Sequence, residues 1–291
     1  MSFAGVHTAL VTPFRDGKFD LPAFQALIEN QIAGGVAGIV PVGTTGESPT
    51  LDHDEHNAVI EAAIRTAAGR CKVIAGTGSN STAEAIALTR SAEKAGADAA
   101  LLVAPYYNKP SPEGLYRHFG AIADAVKIPL VLYSIPGRCG IEISVETTAR
   151  LARDFKNIVA IKEAGGSVER VNQLRAALPD EFEILSGDDS LTLPFLSVGA
   201  VGVISVASNI IPSEVSKMVR HFLAGEAAKA LTIHRKFYPL FRDLFIEPNP
   251  VPAKFALQRL GKMGAEVRPP LCAMSTANAE KLARTLDTLG L

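Results

Sequence analysis

Short, almost wholly apolar runs alternate along the chain with longer amphipathic ones. The apolar runs fall at 6–11, 38–42, 72–76, 99–105, 129–134, 158–162, 182–186 and 202–206. Near-continuous apolarity, rather than strict alternation, is what a parallel strand covered on both faces requires. The stretches between them have helical spacing. In 20–33, Asp20 is placed as an N-cap, Phe24, Leu27, Ile28 and Ile32 make the buried stripe, and Gly34 terminates the helix. Asp52 with Glu55, and Ser81 with Glu84, stand at capping-box spacing. Eight strand–helix units with no linker or low-complexity break predict an α/β fold, a (β/α)8 TIM barrel over residues 1–224.

Residues 225–291 show no further strand. Helices are expected at 226–245, 251–263 and 277–289, a three-helix extension packed beside the barrel. Glu247-Pro248-Asn249-Pro250-Val251-Pro252 separates the first two, because proline removes a backbone donor and fixes φ. A doubly wound sheet is the competing architecture. Its nucleotide-binding form is disfavoured, since no Gly-x-Gly-x-x-Gly opens the first helix.

Composition narrows the chemistry. The 291 residues are 47% hydrophobic, enough for one large core, with a formal net charge of −1. With no basic footprint, a nucleic-acid partner is not expected. Apolar stretches such as 99–104 and 198–207 are too short to span a bilayer, and the first residues carry neither a basic n-region nor an apolar h-region. A cytoplasmic location without membrane attachment is therefore expected. Cys71, Cys139 and Cys272 are too widely spaced for a disulfide framework or a metal knuckle.

One lysine interrupts an apolar strand. Lys162 follows Ile158-Val159-Ala160-Ile161 and precedes Glu163-Ala164-Gly165-Gly166. Burial among apolar walls lowers a lysine pKa from about 10.4 and turns the amine into a nucleophile for Schiff-base chemistry. The strand alone leaves a second reading level with this one, in which Lys162 snorkels outward or pairs with Glu163.

In a barrel of this kind, active sites gather at the C-terminal strand ends. Those ends deliver Gly43-Thr44-Thr45-Gly46-Glu47, Tyr106-Tyr107-Asn108, Tyr133 to Arg138, Lys162, Ser186-Gly187-Asp188-Asp189 and Ile204-Ser205. Hydroxyls can shuttle protons to a carbinolamine oxygen without fixed charge, and Arg138 suits a carboxylate. No histidine, cysteine pair or carboxylate cluster with metal spacing appears among them, so no metal is expected. Singly, the Gly-Thr-Thr-Gly run is also read as a tight turn, Tyr133 as a core aromatic and Arg138 as a surface ion pair.

The run 43–47, the 133–138 segment and the Ile161-Lys162-Glu163 strand end resemble the class I pyruvate-dependent aldolase/lyase superfamily of dihydrodipicolinate synthase and N-acetylneuraminate lyase. The likeness extends over essentially the whole chain, including 76–82 and 249–254, and is nearest to the dihydrodipicolinate synthase branch. That resemblance implies condensation of pyruvate with L-aspartate-4-semialdehyde in the diaminopimelate route to lysine, with no cofactor and a homotetramer built as a pair of dimers. It implies that Lys162 forms the imine and Tyr133 is the general acid/base, linked through Thr44 to a Tyr107 from the neighbouring subunit. Thr45 is implied to bind the pyruvate carboxylate, Arg138 the semialdehyde carboxylate, and Gly187 and Ile204 to make main-chain contacts. Cys139 stands where a threonine or serine is expected.

Ser48, His53, His56, Asn80, Glu84 and Tyr106 match the positions that bind L-lysine as a feedback inhibitor in sensitive members of that family. Read singly, Glu84 completes the Ser81 capping box, and His53 and His56 are first-turn surface residues. Pro49 stands where a small residue is expected. The rival activity on the same barrel is cleavage of N-acetylneuraminate or a 2-keto-3-deoxy sugar acid. Arg138 argues against it, since sugar-acid lyases generally lack an arginine there. A non-catalytic barrel sensing pyruvate or lysine would not need the whole proton relay.

Overall fold

Eight parallel strands close into a barrel in the computed structural model, which describes residues 2–291. They are β1 Gly5–Ala9, β2 Gly38–Val40, β3 Lys72–Gly76, β4 Ala99–Val103, β5 Leu130–Ser134, β6 Ile158–Glu163, β7 Glu183–Ser186 and β8 Gly202–Ser205. Each strand pairs with the next in sequence, and β8 pairs back with β1, Gly5 opposite Gly202 and Thr8 opposite Ser205. Closure there needs glycine: a Cβ on Gly202 would be driven into the Gly5 carbonyl oxygen. All eight expected strands are present. Several end earlier than their apolar runs, because the chain turns off the sheet before its burial ends. Val42, for example, is buried yet has φ +49°, outside the strand region. A small hairpin, Phe14–Arg15 with Lys18–Phe19, is additional.

The outer ring is α1 Leu21–Ala33, α2 His53–Ala67, α3 Thr82–Ala95, α4 Pro112–Ala125, α5 Val145–Asp154, α6 Val168–Ala177, α7 Thr192–Leu196 and α8 Pro212–Leu223. Capping follows the sequence signals. The Asp20, Asp52 and Ser81 side chains accept from the backbone N–H groups of Ala23, Glu55 and Glu84, filling otherwise unpaired donors. In α1, Phe24, Leu27 and Ile28 are buried as expected, but Gln31 rather than Ile32 completes the face, accepting from the Thr8 hydroxyl at 2.7 Å.

Two apolar cores result. One lies between strands and helices. The other fills the lumen with Ala9, Val40, Leu101, Val131, Ala160, Leu185 and their neighbours. Because alternate strand residues point to opposite faces, each strand contributes to both.

Three further helices follow: α9 Ala227–Asp243, α10 Val251–Arg259 and α11 Thr276–Leu289. α9 packs on α8 and α11, and α10 reaches the turn Ala207–Asn209 after β8. Buried charge ties this region to the barrel mouth. Lys254 of α10 is fully buried, with Nζ 2.5 Å from Glu47 and donating to the Glu266 carbonyl at 2.7 Å. Arg268 donates through both terminal nitrogens to Glu55, each at 2.7 Å. Among the described residues, no helix is long and apolar enough to cross a membrane.

Candidate active site

Tyr133 on β5 and Lys162 on β6 are register partners, and both point into the lumen at the C-terminal end of the barrel. Their neighbours point the other way. Glu163 faces the helices, accepting from Arg170 Nε at 2.8 Å and from Gly165 N–H at 2.7 Å. The pairing of Lys162 with Glu163 that the strand alone left open does not occur, and at 6% exposure Lys162 does not snorkel to solvent.

Desolvation dominates the electrostatics of this lysine. Burial lowers its pKa to about 7, Arg138 acting in the same direction and Asp189 and Asp188 against it. A substantial fraction of the amine is then neutral near pH 7, as nucleophilic attack requires. Burial raises the Tyr133 phenol above its ordinary value, so it stays protonated; Arg138 and a hydrogen bond with Thr44 oppose the shift. Asp189 is pushed up to about 6 by burial, although it accepts from the Ser205 hydroxyl and from the Ala207 and Val206 N–H groups.

Lys162 and Tyr133 face a cavity of about 50 Å³ shared with Thr44, Thr45, Arg138 and Gly187. The threonines sit on a single helical turn, Thr44–Gly46, after Gly43. Arg138 sits at the exposed rim on another such turn, Pro136–Cys139. Gly187 is required sterically, since a Cβ there would lie 2.6 Å from Ala164 Cβ and 3.0 Å from Lys162 Cε. Ile204 does not line the cavity with its side chain, which fills the lumen core. Cys139 is buried, its thiol donating to the Ala104 carbonyl at 3.2 Å and pushed up to about 11 by burial. Next to Arg138 in the chain, it bonds backbone and does not line the cavity itself.

Of the residues expected in the proton relay, Tyr107 is not brought to this cavity. It is 90% exposed, on a backbone with φ +72°. Asn249, to which the sequence reading gave no role, does line the cavity. It donates from Nδ2 to Thr45 Oγ1 at 2.8 Å, and its carbonyl accepts from Arg138 Nη2 at 3.4 Å. Its sequence signals are its place inside the proline-rich break and at the start of the 249–254 stretch that carries part of the resemblance.

A second cavity, about 180 Å³, collects Ser48, His53, His56, Glu84 and Tyr106, with Pro49 in its wall. Asn80 stands beside it, donating to the Tyr106 carbonyl at 3.2 Å. The Glu84 carboxylate does not turn back to its helix cap; it meets His53 Nε2 at 2.6 Å and accepts from Ser79. Ser79 first and His53 second hold it below the usual carboxylate range. His56 is buried, with Nε2 2.9 Å from the Gly76 carbonyl, and burial lowers its pKa. A further cavity, about 520 Å³, lies at the opposite end of the barrel beside Ile158 and Phe182, away from Lys162.

The chain is similar to known proteins over essentially its whole length. The model of the dihydrodipicolinate synthetase family matches residues 2–289. A 4-hydroxy-tetrahydrodipicolinate synthase of Endomicrobium trichonymphae is 52% identical over 289 residues, covering 99% of each chain. The solved 4-hydroxy-tetrahydrodipicolinate synthase of Methylacidiphilum fumariolicum SolV superposes with a TM-score of 0.98 at 56% identity, over 99% of this chain and 96% of that one. A lysine-bound enzyme of the same kind from Cyanidioschyzon merolae gives 0.96 at 43% identity, covering 99% of each.

Proposed function

The chain belongs to the dihydrodipicolinate synthetase family, and on that premise we propose that Lys162 carries pyruvate as a Schiff base while it is condensed with L-aspartate-4-semialdehyde. The reaction is that of a 4-hydroxy-tetrahydrodipicolinate synthase, a lyase of diaminopimelate and lysine biosynthesis. The observation that carries the residue assignment is the buried Lys162 amine, with its lowered pKa, in register with Tyr133 at the strand ends.

The neutral Lys162 amine attacks the keto carbon of pyruvate to give a carbinolamine. Tyr133 protonates the departing hydroxyl, water leaves, and an iminium remains. The methyl proton passes to the Tyr133 phenolate left by that donation, giving the enamine. The enamine carbon attacks the semialdehyde aldehyde as the aldehyde oxygen takes the proton back from Tyr133. Attack of the semialdehyde amine on the imine carbon closes the ring and releases Lys162. Tyr133 exchanges its proton through Thr44, the neighbour its phenol already meets. Thr45 holds the pyruvate carboxylate and Arg138 the semialdehyde carboxylate, with Gly187 and Ile204 contributing main-chain contacts.

Tyr107 completes the relay from a second subunit, within a pair of dimers. Its exposure and left-handed backbone favour this, since they hold an aromatic side chain away from its own barrel. The cavity around Glu84 and His56 takes L-lysine as an inhibitor, Glu84 meeting an amino group. The enzyme works in the cytoplasm.

The test is reduction with borohydride in the presence of pyruvate. Mass spectrometry should place the adduct on Lys162, and an unmodified Lys162 peptide under trapping conditions would overturn the mechanism.

A further inference from the structure

Thr45 is useful to a substrate carboxylate only if its hydroxyl proton is free to donate. A hydroxyl has one proton and two acceptor sites, so the partner it meets inside the protein decides which way it works. That partner is Asn249, whose Nδ2 donates to Thr45 Oγ1 at 2.8 Å across 204 positions of sequence. With its acceptor side occupied, Thr45 keeps its proton for another group. In the reversed amide orientation the Asn249 carbonyl oxygen would take that proton, and Thr45 would turn its lone pairs toward an anion. The observed orientation also has a visible cost: Asn249 Oδ1 is buried and has no hydrogen-bond partner among the described residues. Buried acceptors are seldom left unpaired, so one that is calls for an explanation. The same residue accepts from Arg138 through its main-chain carbonyl, so one asparagine touches both carboxylate-binding residues.

We propose that Asn249 is a positioning residue that sets Thr45 as a hydrogen-bond donor toward the carboxylate of a 2-keto acid. The proposal rests on the reading of Lys162 and Thr45 as the pyruvate site.

The experiment measures half-saturation by pyruvate in borohydride trapping, which isolates this substrate from the semialdehyde, for wild type, N249D and N249A. N249D keeps the shape of the side chain but replaces the donor with a carboxylate that captures the Thr45 proton. Its half-saturating pyruvate should rise at least tenfold at pH 8, with the trapping rate at saturation within threefold of wild type. Lowering the pH should shrink that penalty, as the introduced carboxyl takes a proton and becomes a donor to Thr45. N249A, which frees the hydroxyl to rotate, should show a smaller rise of at least threefold and no such pH dependence. A merely structural role would not make the penalty of N249D fall with pH. Half-saturation of N249D within threefold of wild type, or a penalty unchanged by pH, overturns the proposal. If N249D does not fold, N249A decides: a value within twofold of wild type overturns it. Absence of an adduct on Lys162 in wild type would instead refute the underlying assignment of the site.

Discussion

Tyr133 and Lys162 face each other as register partners on adjacent strands, with Lys162 Nζ 4.1 Å from the centre of the Tyr133 ring. An aromatic face attracts a cation and, acting alone, would favour the protonated amine. Burial acts in the opposite sense and prevails, bringing the lysine to about pH 7.

The first prediction follows from that value. Below about pH 7 the amine is protonated and inert, so the rate of pyruvate trapping should climb through this region and level off above it. A rate flat from pH 5.5 to 9 would contradict the assignment. The linkage to stability has a definite sign. The unfolded chain binds this proton up to the ordinary lysine value and the folded chain only to about 7, so stability rises with pH between the two. Lys162→Met should abolish trapping and stabilise the fold by about 1–2 kcal/mol. The gain should be larger at pH 6 than at pH 9 in thermal melts.

Arg138 sits at the exposed rim, held by a long hydrogen bond to the Asn249 carbonyl. Losing one charge-assisted contact there should weaken substrate by about 1.5–3 kcal/mol. Steady-state kinetics of Arg138→Ala should show that loss in the KM for aspartate semialdehyde, with pyruvate trapping nearly unchanged. Equal damage to both substrates would argue against a dedicated clamp.

The Glu47–Lys254 pair is buried on both sides, at 2.5 Å. Removing one partner strands the other charge in the interior, a change that costs about 3–5 kcal/mol. Lys254→Met should therefore lower the midpoint of denaturant unfolding substantially. Adding Glu47→Gln should restore much of the loss. An additive double variant would mean that the two charges do not compensate one another.

Glu84 offers a carboxylate to the second cavity, held ionised by Ser79 and His53. Millimolar L-lysine should slow the wild-type enzyme. Glu84→Gln should raise the inhibitory concentration about 10–100-fold, as expected for loss of a charge-assisted hydrogen bond of about 1.5–3 kcal/mol. Its uninhibited kcat should be unchanged. Initial rates indifferent to lysine in the wild type would remove the regulatory reading.

Lys162 shows how far the sequence reached. Its place in an apolar run marked a buried strand end, yet an outward-facing lysine paired with Glu163 fitted the same run equally well. The side-chain period of a strand is two, so a shift of one position exchanges the faces. Only the closed sheet puts Lys162 inside and Glu163 against Arg170. Tyr107 is legible as a relay residue by resemblance alone, since nothing within one chain covers it.

The sequence by itself determined the eight strands, the helices around them, the helix caps and the residue types at each strand end. Those features depend on local periodicity and on side-chain hydrogen bonds spanning three or four residues, which are written along the chain. The tertiary structure alone decided that Asn249 meets Thr45, that Lys254 meets Glu47 and that Glu84 turns to His53 rather than its own cap. Such contacts depend on barrel closure and on where the last helices pack, and no local spacing encodes the distance between residues that packing brings together.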